Sequence, residues 1–306
     1  MKTLVTGATG FVGREVVKEL HAGGHVIRLL VRNPRAAAAQ ALAASADAEV
    51  CAGDILDAAS LARAMDGTEA VIHLVGIISE APPREYEVVH TQGTKNVLAA
   101  AQAAGATRFA HMSALGVRPG AVARYHRSKW EAEEAVRSSG LDWTIFRPSI
   151  IYGPDDQFVN LFARLARWSP FIPVMGSGLG KLQPVPVELI AAAFVRCLTE
   201  PRAIGQTFDL CGPEPMTFVE VLASILKAQR TPHLRAHLPM AMARGLAWAL
   251  EQTFPRFLGR PPPLNRDQLI MLQEDNVGNP EPADALFGLT PPPFREGIAR
   301  YLTPRR

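Results

Sequence analysis

Three residues in this chain have the types and spacing for proton chemistry. Tyr125 and Lys129 form Tyr-x-x-x-Lys within Tyr125-His126-Arg127-Ser128-Lys129. A four-residue spacing puts both side chains on one face of a helix. A tyrosine left alone, with a pKa of about 10, is a poor acid or base at neutral pH. A neighbouring ammonium favours the phenolate and draws that pKa down, so Tyr125 reads as the acid/base and Lys129 as the group that tunes it. Ser113, in His111-Met112-Ser113-Ala114, follows a strand and supplies a hydroxyl that can orient a carbonyl or an alcohol. The plainer reading is an ordinary amphipathic helix. Against it, the chain has only 4 tyrosines, and this one falls on the helix after the fifth strand. His73 and His111 lie on strands and read as core or hydrogen-bonded histidines. No His-Glu-x-x-His, no Gly-x-Ser-x-Gly and no metal-spaced cluster occurs, so no metal site is expected.

These residues need a cofactor and a scaffold, and the start of the chain predicts both. Gly7, Thr9, Gly10, Phe11, Val12 and Gly13 stand in Thr6-Gly7-Ala8-Thr9-Gly10-Phe11-Val12-Gly13, between a strand-like and a helix-like run. Gly7 allows a tight turn, Gly10 allows close approach of backbone to a pyrophosphate, and Gly13 allows the helix to pack on the sheet. The helix N-terminus then faces the phosphates. The second strand ends Val31-Arg32-Asn33. It lacks the acidic residue that usually holds a ribose 2′-hydroxyl, and Arg32 suits a 2′-phosphate instead. NADP(H) is therefore favoured, with NAD(H) as the alternative. Asp54 and Ile55 after the third strand are expected at the adenine, unless Asp54 is only a helix cap. Leu74, Val75 and Gly76, closing the fourth strand, are expected to press backbone against the cofactor. Lys129 is expected to hold the nicotinamide ribose as well as tune Tyr125.

The first half alternates β-like and helical stretches, and its strands are continuously apolar. That predicts an α/β protein with a doubly wound parallel sheet, a Rossmann fold. Strands are expected near residues 2–6, 25–31, 48–51, 70–75, 108–112 and 143–146, and helices near 11–21, 86–104 and 122–138. After Arg147-Pro148 proline and glycine become frequent, at Pro154, Pro170, Pro173, Gly176, Gly178 and Gly180 among others. A core over 1–152 is expected, followed by a second part over 153–306. Within it, 184–212 returns to the sheet and the rest forms a smaller, mostly helical lobe.

The chain has 306 residues, 48% hydrophobic, with a net charge of +3. The charge is too small to suggest nucleic acid. Cys51, Cys197 and Cys211 form no paired motif, which fits a reducing, cytoplasmic setting. Glycines follow the first residues at once, so no secretory leader is expected. The single candidate span, Leu238 to Phe254, carries Arg244 and Glu251 and falls short of the ~20 apolar residues a crossing needs.

Together these motifs resemble the short-chain dehydrogenase/reductase superfamily, with the added segment Arg147-Pro148-Ser149-Ile150-Ile151-Tyr152-Gly153-Pro154. More narrowly they resemble its atypical, extended branch, which includes the Rossmann-type accessory subunit of respiratory complex I and its bacterial relatives. That likeness rests on His73-Leu74-Val75-Gly76, Arg124-Tyr125-x-x-x-Lys129, Tyr152-Gly153-Pro154-Asp155-Asp156-Gln157-Phe158 and Gln183-Pro184-Val185, and weakens after Thr231. The resemblance implies hydride transfer on carbonyl, alcohol or sugar-nucleotide substrates, as in reductases, epimerases and dehydratases. It implies that Pro148, Ser149 and Ile150 lie beside the nicotinamide. The complex I subunit, by contrast, holds NADPH as a structural element. One departure is Ala114, where many extended members carry a second hydroxyl.

Three functions follow as expectations. The first is an NADP(H)-dependent oxidoreductase acting on a small molecule. The second is a cofactor-holding subunit of a membrane respiratory assembly. The third is a regulator that senses NADP(H). Lys227, Arg230, Arg235, Arg244, Arg256 and Arg260 meet few acids in the second lobe, beside Met240, Met242, Leu246, Trp248 and Leu250. Such a lobe can rest on a membrane's inner face or dock on a partner, or simply be an amphipathic helix packed on the core.

Overall fold

In a computed structural model, residues 1–81, 85–169, 171–230 and 234–302 are described. Pro170 and the side chain of Arg235 lie outside the described residues. The first half builds the expected alternation: β1 (Lys2–Thr6), α1 (Phe11–Ala22), β2 (Val26–Val31), α2 (Ala37–Ala46), β3 (Glu49–Ala52), α3 (Ala58–Met65), β4 (Ala70–His73), α4 (Gly93–Ala103), β5 (Arg108–Met112), α5 (Arg124–Arg137) and β6 (Asp142–Pro148). The second half is more broken: β7 (Ile151–Tyr152), α6 (Val159–Trp168), β8 (Phe171–Met175), β9 (Lys181–Leu182), β10 (Val185–Pro186), α7 (Val187–Arg196), β11 (Gln206–Leu210), β12 (Met216–Thr217), α8 (Phe218–Ala228), β13 (Leu234–Leu238), α9 (Met240–Leu258), α10 (Arg266–Met271), α11 (Glu281–Phe287) and α12 (Phe294–Ala299).

The main sheet has seven strands in the order β11-β6-β5-β4-β1-β2-β3, and every pairing in it is parallel. The order reverses at β1, and β4 and β2 flank it, which makes the crevice between β1 and β4 the topological switch point where such folds bind ligands. The return to the sheet after residue 184 is β11, which extends it beyond β6.

Both faces of the sheet are covered. Val5, Ile72, Ala110 and Phe146 pack under α1, α2 and α7. Leu4, Val71, Phe109 and Ile145 pack under α3, α4 and α5. A separate core holds α6, α8, α12 and the small strands, with Tyr152, Ile172, Leu222 and Phe294 at its centre.

Several elements of the second half escaped the sequence reading. The parallel pair β8–β13, in register from Phe171↔Leu234 to Met175↔Leu238, interrupts a region expected to be helical. Its strands are only five residues long, too short for a periodicity signal to separate them from loop. Helix α9 runs from Met240 to Leu258, through Pro255. In the first half the expected 86–104 helix opens as a π-helix over Glu87–Gln92 before becoming α4.

Candidate functional site

The glycine loop turns out of β1 as its composition predicts. Gly7 sits at φ +78°, and a Cβ there would lie 3.1 Å from the Leu74 carbonyl carbon and 3.2 Å from the Val75 nitrogen. The end of β4 is thus pressed against the loop, and only glycine fits between them. Gly10 is the N-cap of α1 and provides no side-chain cap. Its amide donates to the Gly7 carbonyl at 3.0 Å, and its carbonyl accepts from Arg14 at 3.1 Å. A Cβ on Gly13 would run into the loop backbone, at 2.6 Å from the Ala8 oxygen. Thr9 is exposed, Val12 is buried, and Phe11 lies against Gly153. A helix N-terminus without a side-chain cap, closed in by backbone alone, fits the diphosphate of a dinucleotide.

The adenine side is less decided. Arg32 follows β2 directly and is exposed, and Arg35 is also exposed. The Asp54 carboxylate accepts from the Leu56 amide at 2.9 Å, while Asp57 caps α3 by accepting from Ala59. Asp54 is therefore not the cap of that helix. Ile55 is buried against Gly93, and its carbonyl accepts from Asn96.

Tyr125, Lys129 and Glu133 recur every four residues on α5, on the face turned to the sheet. Lys129 is fully enclosed between the ends of β4 and β5. Its ammonium donates to the Met112 carbonyl at 2.9 Å, and a Cβ at Gly76 would lie 3.1 Å from its Nζ. Burial lowers the Lys129 pKa to about 8, against a smaller upward pull from Glu133. Tyr125 packs edge-on against Tyr86 and His90, with ring centroids 5.8 and 5.3 Å away. Burial pushes its phenol up to about 12. This corrects the expectation that Lys129 activates Tyr125: the lysine is turned to Met112, and it is the lysine whose pKa moves towards neutrality.

Ser113 also departs from expectation. Its hydroxyl donates to Glu133 Oε1 at 2.5 Å, inside a buried cluster rather than towards Tyr125. Arg147 grips the same carboxylate with two bonds of 2.8 and 2.7 Å, and Arg137 adds a third at 2.5 Å. Burial pulls the Glu133 pKa up, but the bonds from Arg147 and Ser113 hold it below the usual carboxylate value. Ser149 is likewise committed. Its hydroxyl lies 2.5 Å from Asn276 Oδ1 and accepts from the Gln183 amide, so it joins β6 to the C-terminal segment. Pro148 closes β6 as a buried residue, and Ile150 packs on the second core. Leu74 is buried, Val75 half-buried and Gly76 exposed.

Sequence reasoning missed His90, Ser128 and Asp267. His90, on the π-helix, accepts the Ile77 amide at Nε2, 3.0 Å, so its Nδ1 carries the proton towards Ser128 Oγ, 2.8 Å. Ser128 in turn donates to the Tyr125 carbonyl. Asp267 of α10 accepts the Arg124 and Tyr125 amides, each at 2.8 Å, and so supplies the cap that Ala123 cannot. His73 bridges Thr6 Oγ1 and Thr94 Oγ1, whereas both ring nitrogens of His111 lack partners among the described residues. Burial, with Lys129 adding to it, lowers His73 to about 3 and holds His90 and His111 well below the ordinary histidine value.

A family profile described as NAD(P)H-binding matches residues 7–201. The chain belongs to this NAD(P)H-binding family. It is of the atypical, extended short-chain dehydrogenase/reductase type. It is 29% identical over 280 residues to NADH dehydrogenase (ubiquinone) 1 alpha subcomplex subunit 9, mitochondrial, of Arabidopsis thaliana, covering 89% of this chain and 70% of that protein. It is 35% identical over 208 residues to a ceramide reductase of Caulobacter vibrioides, covering 67% of this chain and 64% of that one. The fold matches NADPH-dependent quinone oxidoreductase QOR2 of Escherichia coli, complexed with NADPH, with a TM-score of 0.75 at 22% identity over 97% of this chain and 99% of that one. No helix among the described residues is long and apolar enough to cross a membrane.

Proposed function

We propose that this family member is an NADP(H)-dependent oxidoreductase that reduces a carbonyl, or oxidises the corresponding alcohol, at the carboxyl ends of β4 and β5. The observation that carries the reading is Lys129. It is an ammonium buried between Gly76 and Met112, one helical turn below Tyr125, with a pKa of about 8. Burying a charge there costs stability, and a purely structural site has no need of it. The relatives named as reductases support the same reading.

Gly7, Gly10 and Gly13 would hold the diphosphate, Arg32 the 2′-phosphate, and Lys129 the ribose beside the nicotinamide. When bound, the reduced coenzyme supplies a hydride. The chain's task is to supply the proton that completes carbonyl reduction. With its pKa at about 12, the Tyr125 phenol stays protonated at neutral pH and can donate from Oη to the carbonyl oxygen. Ser113 takes no part in substrate binding, because Glu133 holds its hydroxyl.

A second reading is a protein that holds the coenzyme without turnover. The unactivated Tyr125 and the likeness to the plant complex I subunit over 89% of the chain favour it. One experiment separates the two. The wild-type protein is offered NADPH and a panel of carbonyl compounds, beside Tyr125→Phe. The oxidoreductase reading expects turnover that Tyr125→Phe cuts by about 10²–10⁴-fold, with NADPH affinity by calorimetry nearly unchanged. Tight NADPH binding without turnover of any compound leaves the second reading. In the same assay Arg32→Asp should weaken NADPH about 10–100-fold and NADH little.

A further inference from the structure

Helix α9 is the longest in the described chain, 19 residues, yet only Ala243 and Ala247 of it are buried. Its outer face is apolar. Met242, Leu246, Ala249, Thr253 and Phe257 recur at helical spacing along one stripe of about 22 Å. Met242 is 62% exposed, Leu246 49% and Phe257 76%, with Trp248 55% exposed nearby. Large apolar side chains concentrated on one helix mark a surface meant to be covered.

Charge says what covers it. The single acidic residue of α9 is Glu251, which is turned to α10 and takes both the amide and the guanidinium of Arg266, at 2.7 and 2.8 Å. Beside the exposed stripe lie Arg256 and, just past the helix end, Arg260. Both are exposed, and among the described residues neither enters an ion pair. An apolar stripe fringed by unopposed guanidiniums and a tryptophan complements acyl chains beneath phosphate headgroups. The helix does not meet the requirements for a crossing segment, so it would lie in the headgroup plane rather than across the bilayer.

We propose that the outer face of α9 docks on an anionic lipid bilayer. Its position ties that contact to the site. Glu251 holds Arg266, and the next residue, Asp267, caps the helix that carries Tyr125. Arg244 and Glu251 also line a cavity of about 720 Å³ shared with Arg124 and Arg127 of α5. A docked α9 would therefore meet the membrane with its outer stripe while its inner face walls a cavity beside the Tyr125 helix.

The test is co-sedimentation of the full chain with phosphatidylcholine vesicles, with and without phosphatidylglycerol. Binding is expected only with phosphatidylglycerol and should weaken in high salt. Arg256→Glu and Arg260→Glu should each lower it about fivefold or more at low salt. Leu246→Asp with Phe257→Asp should abolish it, while circular dichroism and NADPH affinity stay as in the wild type. Should the aspartate pair fail to fold, the arginine variants alone decide. Three results overturn the proposal: no binding to the mixed vesicles, equal binding by all variants, or a wild-type dimer that the aspartate pair converts to monomer, which would put a second copy on this face. NADPH affinity is read separately, so failure here leaves the cofactor site untouched.

Discussion

The two faces of the main sheet are built from alternate residues of the same strands, yet they differ at the carboxyl end. Towards α1 and α7, β4, β5 and β6 finish on Leu74, Met112 and Pro148. Towards α4 and α5 they present His73, His111, Ser113 and Arg147, joined there by His90, Lys129 and Glu133. One face is packed for stability. The other buries ionisable groups at a cost, in the layer where the coenzyme is expected, and its stability must depend on pH while that of its neighbour does not.

Acid should expose that difference most strongly. His73 is held at about 3, and His90 and His111 lie well below 6.5. Each folded-state pKa is depressed, so the unfolded chain binds more protons below that point. Stability is therefore fully present above about pH 6.5 and falls as pH drops below it, for His73 by about 1.4 kcal/mol per pH unit towards pH 3, with His90 and His111 adding in the same direction. Urea midpoints measured from pH 7 to 5 should show it. His111→Leu removes a buried, depressed imidazole and should make the slope shallower. A slope no steeper than that of surface carboxylates alone would break the comparison.

Glu133 comes next. Glu133→Ala leaves Arg137, Arg147 and Ser113 around an empty position and should cost about 3–5 kcal/mol in chemical denaturation. Ile72→Val, on the apolar face of the neighbouring strand, should cost only about 1 kcal/mol. A reversed order would mean that the polar layer is not the demanding one.

The smallest change is at Lys129, and it has the opposite sign. Its folded pKa of about 8 lies below the unfolded 10.5, so the folded chain carries its cost in full below pH 8 and sheds it as pH rises to 10.5. Lys129→Met should gain about 2 kcal/mol at neutral pH, and the gain should vanish by pH 10.5. A loss at neutral pH would show that the bond to Met112 outweighs the burial.

The residues of the cofactor loop were legible because their roles are local. Gly7, Gly10 and Gly13 are set by a turn, an approach and a packing contact within seven residues. The Tyr125–Lys129 spacing was legible for the same reason, since one helix fixes it. The role given to the Ser113 hydroxyl went astray because a side chain's direction depends on its partner, and Glu133, twenty residues away, claimed it. Short strands such as Phe171–Met175, which pair only across sixty residues, had no local signature to read.

The sequence by itself determined the alternation of β and α, the glycine bend and the identity of a tyrosine and a lysine one helical turn apart. These depend on spacings that backbone geometry converts directly into position. Only the tertiary structure decided that Lys129 is the group near neutrality, that Ser113 answers to Glu133, and that Asp267 caps the Tyr125 helix. Burial and long-range partners set pKa values and side-chain directions, and neither is present until the chain has folded.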